Sequence, residues 1–446
     1  MKRSLLALTL LALALPARAQ DPVQKAEAGP FALTNCRAVT VSGGVVEGAT
    51  IVVQGGKIAQ MGAGVSAPSG AKIIDCAGRS VYPGMIDAGT QIGLVEVNSD
   101  SRTRDFAEIG SLNPQVKALT AVNPNSVWIP VTRVSGVTTT LTMPSSGLLS
   151  GEAAVINLHG YTPEQMLAAP DARFQMMQYP ASGRRGSWDS RSDEDIEKAD
   201  KEAAKALNDL WDQAERYARI DSARMANGVD RPVQFVPELE ALAPVVNGTM
   251  RLMIEVNRAS DIVKALEWAE SRGLTSQTIL SGCLEGWRVA DTIAEAGVPC
   301  LVGPVLSVPT RESDRYDKAY ANPGLLAQAG VRIAIRSMDG NGNYRNLPYH
   351  AGFAAAYGLS KDAALYAVTL GAAQIFGIDD RAGSLEVGKD ATFFLSDGDP
   401  FETATDVTEV FIQGYRMPMT SRQIALYQEF LDRDPGVTET PDGSMR

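Results

Sequence analysis

The side chains of this sequence that could perform chemistry are mainly charged residues within or beside apolar runs. Glu255 and Arg258 lie in the segment Met253–Arg258, and Arg336 ends the segment Val331–Arg336. A carboxylate such as Glu255 can act as a general base, and Arg258 or Arg336 can polarise a carbonyl group. These three residues are therefore candidates for a site of acid–base chemistry.

Histidine, the commonest acid–base and metal-binding side chain, is scarce. The chain has only two histidines, His159 and His350. His159 follows a strand-like run and is predicted to border a pocket, whereas His350 is interpreted as a packed or capping residue. A metal site built mainly from imidazoles is therefore not expected.

A serine nucleophile is not indicated either. Ser150 lies between glycines in the segment Gly147–Glu152, but the spacing differs from G-x-S-x-G. The segment also opens a strand, whereas a nucleophile elbow needs a turn from a strand into a helix. We interpret it as a loop before a strand.

Apolar runs that alternate with helical segments would position the candidate side chains. This alternation is typical of a parallel α/β sheet, and eight strands over this length fit a (β/α)8 barrel, whose active-site face is formed by the loops after the strands. The predicted strands are Met85–Ala88, Val137–Thr142, Ala153–Leu158, Phe174–Tyr179, Leu252–Val256, Thr278–Ser281, Cys300–Gly303 and Val331–Arg336. We expect Glu96–Pro130 to cover the mouth of the barrel and Asp193–Met225 to form an outer helix.

Both ends of the globular part contain short strand-like runs separated by glycines or tight turns. Residues 31–81 and 391–412 share this pattern, which is typical of a small antiparallel sheet. We therefore predict one β-sandwich domain built from both chain ends. The predicted division is 1–19 signal peptide, 20–82 first part of the β-sandwich, 83–382 barrel, 383–420 second part of the β-sandwich, and 421–446 C-terminal helix and tail.

The first residues are expected to direct export. Lys2 and Arg3 precede the apolar run Leu5–Leu15, and Ala17-Arg18-Ala19 matches the cleavage pattern of a signal peptide. The run is about half the length that a membrane-spanning helix needs. We expect a mature protein that starts near Gln20, lies in the periplasm and has no membrane span.

Composition and charge are those of an ordinary globular protein. Hydrophobic residues make up 45% and charged residues 21%, and the net charge is -11, so we expect neither nucleic acid nor an anionic membrane surface as a partner. In an exported chain, Cys36 and Cys76 could form a disulfide in the small sheet, and this pairing stays open. Cys283 and Cys300 are expected to be buried free thiols, because neighbouring parallel strands would hold them too far apart to bridge.

An ordered set of segments resembles the amidohydrolase superfamily, most closely its imidazolonepropionase-related branch. The segments are Tyr82–Ala88, Asn346–Gly352, Gly383–Ala391, Asp397–Pro400 and Ile412–Gly414. The resemblance covers nearly the whole mature chain and implies a (β/α)8 barrel with a β-sandwich made from both ends. In that family, one or two divalent metals at the carboxyl ends of the strands lower the pKa of a bound water and polarise the scissile carbonyl.

The resemblance also implies which positions should carry the metal ligands. They are a His-x-His pair on strand one, often a lysine carbamate on strand four, histidines on strands five and six, and an aspartate on strand eight. The residues at or near the side-chain positions are Gly89, Gln91, Glu255, Gly282 and Met338, with Asp339 one place away. No lysine lies between Lys117 and Lys198. We therefore expect a degenerate metal site and no cofactor, although a hard cation held by Glu255, Asp339 and Asp87 stays open.

Three functions stay open from the sequence, and one of them, a plain solute-binding protein, would have a closed apolar cavity and no surface partner. The first is a barrel without the family's catalysis that keeps a pocket and acts as a binding or partner subunit, with a small molecule in its mouth or an active relative as its protein partner. The alternative is a hydrolase of amide or cyclic-amide C–N bonds that uses Glu255 in a metal-free or rebuilt site. In either case His159, Arg258 and Arg336 are expected at the rim of the pocket.

Overall fold

The computed structural model describes residues 25–183, 189–228, 234–338 and 342–432. Its first six strands begin the small β domain: β1 Glu27–Ala28, β2 Phe31–Val39, β3 Val45–Gln54, β4 Lys57–Gly62, β5 Lys72–Asp75 and β6 Ser80–Pro83. β-Branched residues favour the pleated strand β3, where Ile51, Val52 and Val53 are buried. The turn into β4 passes through Gly55 and Gly56, whose φ angles of 59° and 79° favour glycine.

The next eight strands form the barrel: β7 Met85–Thr90, β8 Val137–Thr142, β9 Leu149–Asn157, β10 Arg173–Gln178, β11 Arg251–Val256, β12 Thr278–Gly282, β13 Cys300–Val302 and β14 Ile333–Ile335. Within the described residues they hydrogen-bond in order from β7 to β14, and β14 packs beside β7, so that the barrel is nearly closed. The strands are largely apolar because both of their faces are buried. All eight strands predicted from the sequence are present, and the barrel is confirmed.

One barrel strand differs from the prediction of an all-parallel sheet. β9 pairs antiparallel with both β8 and β10, whereas the other neighbouring strands pair in parallel. Residues 143–148 alone connect β8 to β9, and a parallel crossover needs about a dozen residues or more. The chain therefore turns back, and β9 ends beside the amino-terminal end of β8.

Helices surround the barrel and cover its outer face. They are α1 Ala118–Ala121, α2 Trp128–Arg133, α3 Pro163–Met166, α4 Asp193–Ala226, α5 Pro237–Val246, α6 Ala259–Ser271, α7 Ala290–Ala296, α8 Lys318–Gln328, α9 Leu347–Ala356, α10 Lys361–Ala367, α11 Leu370–Phe376 and α12 Arg422–Leu431. The predicted long outer helix is α4, which buries Leu207, Trp211 and Tyr217 at helical spacing. In the described ranges, no helix is both long and apolar enough to cross a membrane.

Three further strands complete the small domain from the other end of the chain: β15 Phe393–Ser396, β16 Val407–Ile412 and β17 Tyr415–Arg416. β15 pairs with β6, and β17 pairs with β1, so both ends of the chain hydrogen-bond into one sheet. Phe411 packs against Phe31 and Phe393 in its core, with ring centroids 5.3 and 4.8 Å away. The prediction of one β domain built from both chain ends is confirmed.

The four cysteines form two pairs of different kinds. A disulfide joins Cys36 to Cys76 in the β domain. Cys283 and Cys300 are buried free thiols, as expected, but the expected separation is wrong because their sulfurs lie 3.8 Å apart. The backbone is left-handed at Gly282 and Cys283, with φ angles of 91° and 48°, and this turns the chain out of the extended path of β12.

We expect Cys283 and Cys300 to be unreactive in the native protein. Both side chains are fully buried, and the contact with Cys283 together with burial raises the pKa of Cys300, so the reactive thiolate is scarce. Ellman's reagent should label neither thiol in buffer and both in denaturant, whereas Cys283→Ser should yield a single thiol in denaturant. Rapid labelling of the native protein would contradict the buried arrangement.

Candidate site at the mouth of the barrel

Three polar side chains meet at the carboxyl ends of the barrel strands. They meet there because successive side chains along a strand point alternately into and out of the barrel. Met253, Ile279 and Ala334 belong to the apolar interior of the barrel. Side chains two residues apart on a strand point to the same face. The residues that follow them by two positions are Glu255 in β11, Ser281 in β12 and Arg336 after β14, so all three point inward at the mouth.

The centre of this group is a buried ion pair between Arg336 and Glu255. The side chain of Arg336 is 3% exposed, and its Nη1 and Nη2 lie 2.6 and 2.7 Å from the two carboxylate oxygens of Glu255. Nη1 also donates to the Ser281 hydroxyl at 2.7 Å, and Nε donates to the carbonyl of Gly303 at 3.0 Å. These bonds use four of the five N–H donors of arginine. Arg336 therefore lies in the interior of the mouth, and its predicted place at the rim is wrong.

Two glycines at expected ligand positions leave the space that this pair occupies. A Cβ atom on Gly89 would lie 3.1 Å from Cδ of Arg336 and 3.2 Å from Cε of Met143. A Cβ atom on Gly282 would lie 2.3 Å from Oδ1 of Asn257, 2.9 Å from a carboxylate oxygen of Glu255 and 3.1 Å from Nη2 of Arg336. A side chain at position 282 therefore requires Asn257 or Glu255 to move, and a side chain at position 89 requires Arg336 or Met143 to shift slightly.

The remaining expected ligand positions make contacts of other kinds. Nε2 of Gln91 donates to the Ser145 hydroxyl at 2.8 Å. The backbone N–H of Met338 donates to the carbonyl of Gly89 at 3.0 Å, which joins the segment after β14 to β7. Asp339 lies outside the described residues.

Asp87 is fully buried and supports the backbone that carries Arg336. Its carboxylate accepts the N–H of Gly89 at 3.1 Å, the N–H of Ser337 at 3.0 Å and the Ser337 hydroxyl at 2.5 Å. Burial raises the pKa of Asp87 to about 7, although the hydrogen bonds from Ser337 and Gly89 and the charge of Arg336 act in the opposite direction. Because Ser337 follows Arg336, these bonds fix the point from which the guanidinium extends.

The carboxylate of Glu255 is kept ionised. Burial favours its neutral form, but the charge and hydrogen bonds of Arg336, with further hydrogen bonds from Ser281 and Asn257, lower the pKa of Glu255. A carboxylate with a lowered pKa is a weak general base, and Arg336 binds both of its oxygens. The arrangement therefore stabilises charge at the mouth without leaving a strong base there.

His159 does not border the mouth, and that prediction is wrong. It follows β9, whose antiparallel direction takes it to the amino-terminal end of β8. Its ring lies 5.0 Å from the ring of Tyr415 in the β domain, beside a cavity of about 400 Å³ also lined by Gln413. Burial and the nearby charge of Arg133 lower the pKa of His159 to about 4.

The second histidine, interpreted from the sequence as a packed or capping residue, is fully buried. Nδ1 of His350 accepts the backbone N–H groups of Val305 and Leu306 at 3.1 and 3.3 Å. Burial lowers the pKa of His350 to about 4, which keeps the ring neutral. Arg258, predicted at the rim, donates from Nη1 to the carbonyl of Ser182 at 2.8 Å and so joins the start of α6 to the segment after β10.

The sequence did not reveal a further buried carboxylate at this end of the barrel, in addition to Glu255 and Asp87. Glu285 follows β12, is 1% exposed, and accepts two hydrogen bonds from Arg311 at 2.6 and 2.7 Å. It also accepts the Thr310 hydroxyl at 2.8 Å and the N–H of Ala259 at 3.0 Å. Burial favours the neutral acid, but these partners lower the pKa of Glu285 to about 2. The group ties the connection between β13 and α8 to the start of α6.

The donors at the mouth do not fit a metal of the expected kind. In the part of the chain that the structure describes, no group of three or more His, Cys, Asp or Glu residues is arranged to hold an ion. Of the oxygen ligands considered for a hard cation, Asp87 already accepts three hydrogen bonds, Glu255 is bound by Arg336, and Asp339 is outside the described residues. Whether the protein binds a metal stays a prediction.

Removing one partner of the ion pair should destabilise the protein more than removing both. Glu255→Gln leaves the guanidinium of Arg336 buried without its counter-charge, which should lower the free energy of unfolding by about 3–5 kcal/mol. The double variant Glu255→Gln/Arg336→Met buries no charge and should recover a large part of that loss. Urea denaturation measures both effects.

The control for this cycle is an exposed ion pair. Arg37 and Glu47 have side chains that are 40% and 71% exposed, so Glu47→Gln should change the free energy of unfolding by less than about 1 kcal/mol. The single variant Arg336→Met completes the cycle. If its loss of unfolding free energy and that of Glu255→Gln simply add in the double variant, the two side chains do not depend on each other.

Crowding at Gly282 can be separated from backbone strain by a matched glycine. Gly282 and Gly388 have similar φ angles of 91° and 95°, but a Cβ atom on Gly388 would meet nothing within 4 Å. Alanine in this backbone conformation costs about 1–2 kcal/mol at either site, and overpacking adds about 1–3 kcal/mol at Gly282. Gly282→Ala should therefore lower the melting temperature more than Gly388→Ala, and equal losses would contradict the packing around the ion pair.

Comparison with known proteins agrees with the fold. Residues 81–417 match the amidohydrolase family. An imidazolonepropionase from Mesorhizobium japonicum is 26% identical over 383 residues, which are 79% of this chain and 87% of that protein. Another, from Syntrophobacter fumaroxidans, is 30% identical over 152 residues, which span 33% of this chain and 34% of that protein.

Among solved structures, the crystal structure of an amidohydrolase from Thermotoga maritima superimposes with a TM-score of 0.77 at 24% sequence identity. The superposition covers 88% of this chain and 100% of that one, and it supports the barrel and the attached β domain. From the family match over most of its length and the barrel just described, this chain belongs to the amidohydrolase family.

Proposed function

We propose that this chain is an exported amidohydrolase-family protein that acts by binding, as a partner or ligand-binding homologue, rather than by metal-dependent hydrolysis. The observation that carries the proposal is the Arg336–Glu255 ion pair, which lies at the barrel mouth between the strand ends. The guanidinium is a fixed monovalent cation with four of its five N–H donors in use. It cannot ionise a water molecule as a divalent metal can.

The space at the mouth supports the same proposal. Histidine ligands at positions 89 and 282 would occupy space that Arg336, Met143 and Asn257 now occupy. The ligand losses are therefore linked: the glycines make room for the ion pair, and the ion pair leaves no room for the ligands. A single substitution does not restore such a site.

The alternative, hydrolysis of an amide or cyclic amide in a rebuilt site, depends on a general base. Glu255 is the candidate because its side chain is 23% exposed, but Arg336 binds both oxygens and the pKa of Glu255 is lowered. The pKa of Asp87, about 7, would suit a base better. Asp87, however, is 0% exposed and accepts hydrogen bonds from Gly89 and Ser337.

Export is supported by the N-terminal pattern and by one structural feature. Residues 1–24, which contain the proposed signal peptide, lie outside the described residues. The Cys36–Cys76 disulfide fits an oxidising compartment such as the periplasm. Cell fractionation and N-terminal sequencing should find the mature chain in the periplasm, starting near Gln20, and an uncleaved cytosolic chain would overturn this part of the proposal.

Metal analysis tests the absence of a family-type metal site. Protein purified without chelator should contain well below one equivalent of zinc, iron or manganese, because the described residues at the mouth offer no free set of ligands. A metal-containing amidohydrolase purified in the same way is the positive control. A full equivalent that is lost in Glu255→Gln would contradict the proposal.

Hydrolysis assays test the alternative directly. We expect Glu255→Gln and wild type to show the same rate on a panel of amides and cyclic amides, at the level of the buffer. Glu402→Gln, at an exposed position, is the matched control for the loss of one carboxylate. Turnover that is present in the wild type and in Glu402→Gln but absent in Glu255→Gln would establish a rebuilt hydrolase.

A further inference from the structure

A cavity of about 400 Å³ lies where the barrel meets the β domain, at the end of the barrel opposite the mouth. The segment after β9 lines it with His159, Tyr161 and Gln165, and the β domain lines it with Gln413 and Tyr415. This segment lies away from the mouth because β9 runs antiparallel to β8 and ends beside the amino-terminal end of β8. Small-molecule sites commonly have volumes of about 300–1,000 Å³. The cavity is therefore large enough for a small ligand at a place separate from the barrel mouth.

Aromatic rings form part of the wall of this cavity. The ring of His159 lies 5.0 Å from the ring of Tyr415 and 6.3 Å from the ring of Tyr161, measured between centroids. Tyr161 is 77% exposed and Tyr415 is 43% exposed, so both rings still have surface that a ligand could cover. Aromatic side chains pack favourably against other rings in offset or edge-on arrangements at such distances. A flat ring is therefore a shape that this wall can accommodate.

The polar side chains that line the cavity can donate hydrogen bonds. Oε1 of Gln165 accepts the N–H of Tyr161 at 2.9 Å, and this bond uses the oxygen of the amide but neither of its two N–H donors. Gln413 adds a second amide and His159 adds an imidazole. Among the described residues, no carboxylate lines the cavity, although the chain has a net charge of -11. Such donors without a competing carboxylate suit an anionic group, which accepts hydrogen bonds and donates none.

Arg133 adds a positive charge beside this cavity. Its Nη1 donates to the carbonyl of Leu158 at 3.1 Å, directly before His159 in the chain, and its Nε is buried without a hydrogen-bond partner in the described part of the chain. Burial lowers the pKa of Arg133 to about 10, and no carboxylate of the described residues offsets this. Burial and also the charge of Arg133 lower the pKa of His159, so the charge acts at the cavity wall. A buried charge is costly without an opposite charge nearby, and an anion in the cavity would supply one.

We propose that this cavity is a binding site for a small molecule that carries an anionic group on a flat ring, such as an aromatic carboxylate. The anionic group accepts hydrogen bonds from the amides of Gln165 and Gln413 and from the ring of His159, and the charge of Arg133 stabilises it. The flat ring packs against the two tyrosines of the wall. Because the site is at the opposite end of the barrel from the mouth, the proposal is independent of whether the mouth binds a ligand or hydrolyses an amide.

NMR of the histidine rings in the full mature chain tests the proposal, because the chain has only two histidines, His159 and His350. The probe is benzoate, with benzamide as a neutral molecule of the same shape and acetate as a carboxylate without a ring. Benzoate at about millimolar concentration should shift the signals of His159 in a saturable way, as expected for so small a ligand. Benzamide and acetate should each bind at least about tenfold more weakly. The signals of His350, which is fully buried, should not move.

A change of one amide to a carboxylate tests the cavity itself. Gln165→Glu keeps an oxygen for the N–H of Tyr161 but adds a negative charge to the wall, so it should weaken benzoate binding by about tenfold or more. Gln60→Glu, at an exposed position in β4, is the matched control and should bind benzoate like the wild type. Arg133→Met should also weaken binding, and Gln165→Glu decides the question if that variant does not fold. No saturable shift at His159, equal binding of the three compounds, or unchanged binding in Gln165→Glu would overturn the proposal.

Discussion

The buried ion pair between Arg336 and Glu255 determines which chemistry the barrel mouth can support. A buried charge costs several kcal/mol unless a counter-charge and hydrogen bonds satisfy it. Here the counter-charge is Glu255 in β11, and the Ser281 hydroxyl and the carbonyl of Gly303 accept further hydrogen bonds from Arg336. Asp87 holds the adjacent backbone through Ser337. Removing Glu255 would leave the guanidinium of Arg336 in the interior of the barrel without a counter-charge.

The fold accommodates this ion pair because the barrel interior and the mouth are separate layers of side chains. Met253, Ile279 and Ala334 fill the layer below and belong to the apolar interior, while the residues two positions later form the mouth. The strand ends of a barrel can therefore change their chemistry while the core keeps its packing. Membership of a family with this fold then fixes the architecture, and the side chains at the strand ends decide the chemistry.

The sequence predicted the eight barrel strands, the long outer helix and the β domain because each rests on local apolar patterns. It did not predict the direction of β9, although the short connection 143–148 excludes a parallel crossover, and this error misplaced His159. The ion pair could not be predicted from local patterns, because its two residues lie 81 positions apart in the chain. A signal was present: Glu255 and Arg336 are opposite charges in buried apolar runs, and such charges are expected to pair.

Diffraction at the zinc absorption edge, on crystals grown with excess zinc, tests most directly whether a guanidinium has replaced the metal. The bidentate contact of Arg336 with Glu255 should persist, and no anomalous peak should lie between the ends of β11, β12 and β14. Peaks at surface carboxylates would not bear on the question. A peak about 2.0–2.2 Å from an oxygen of Glu255, with the side chain of Arg336 turned away, would contradict the replacement.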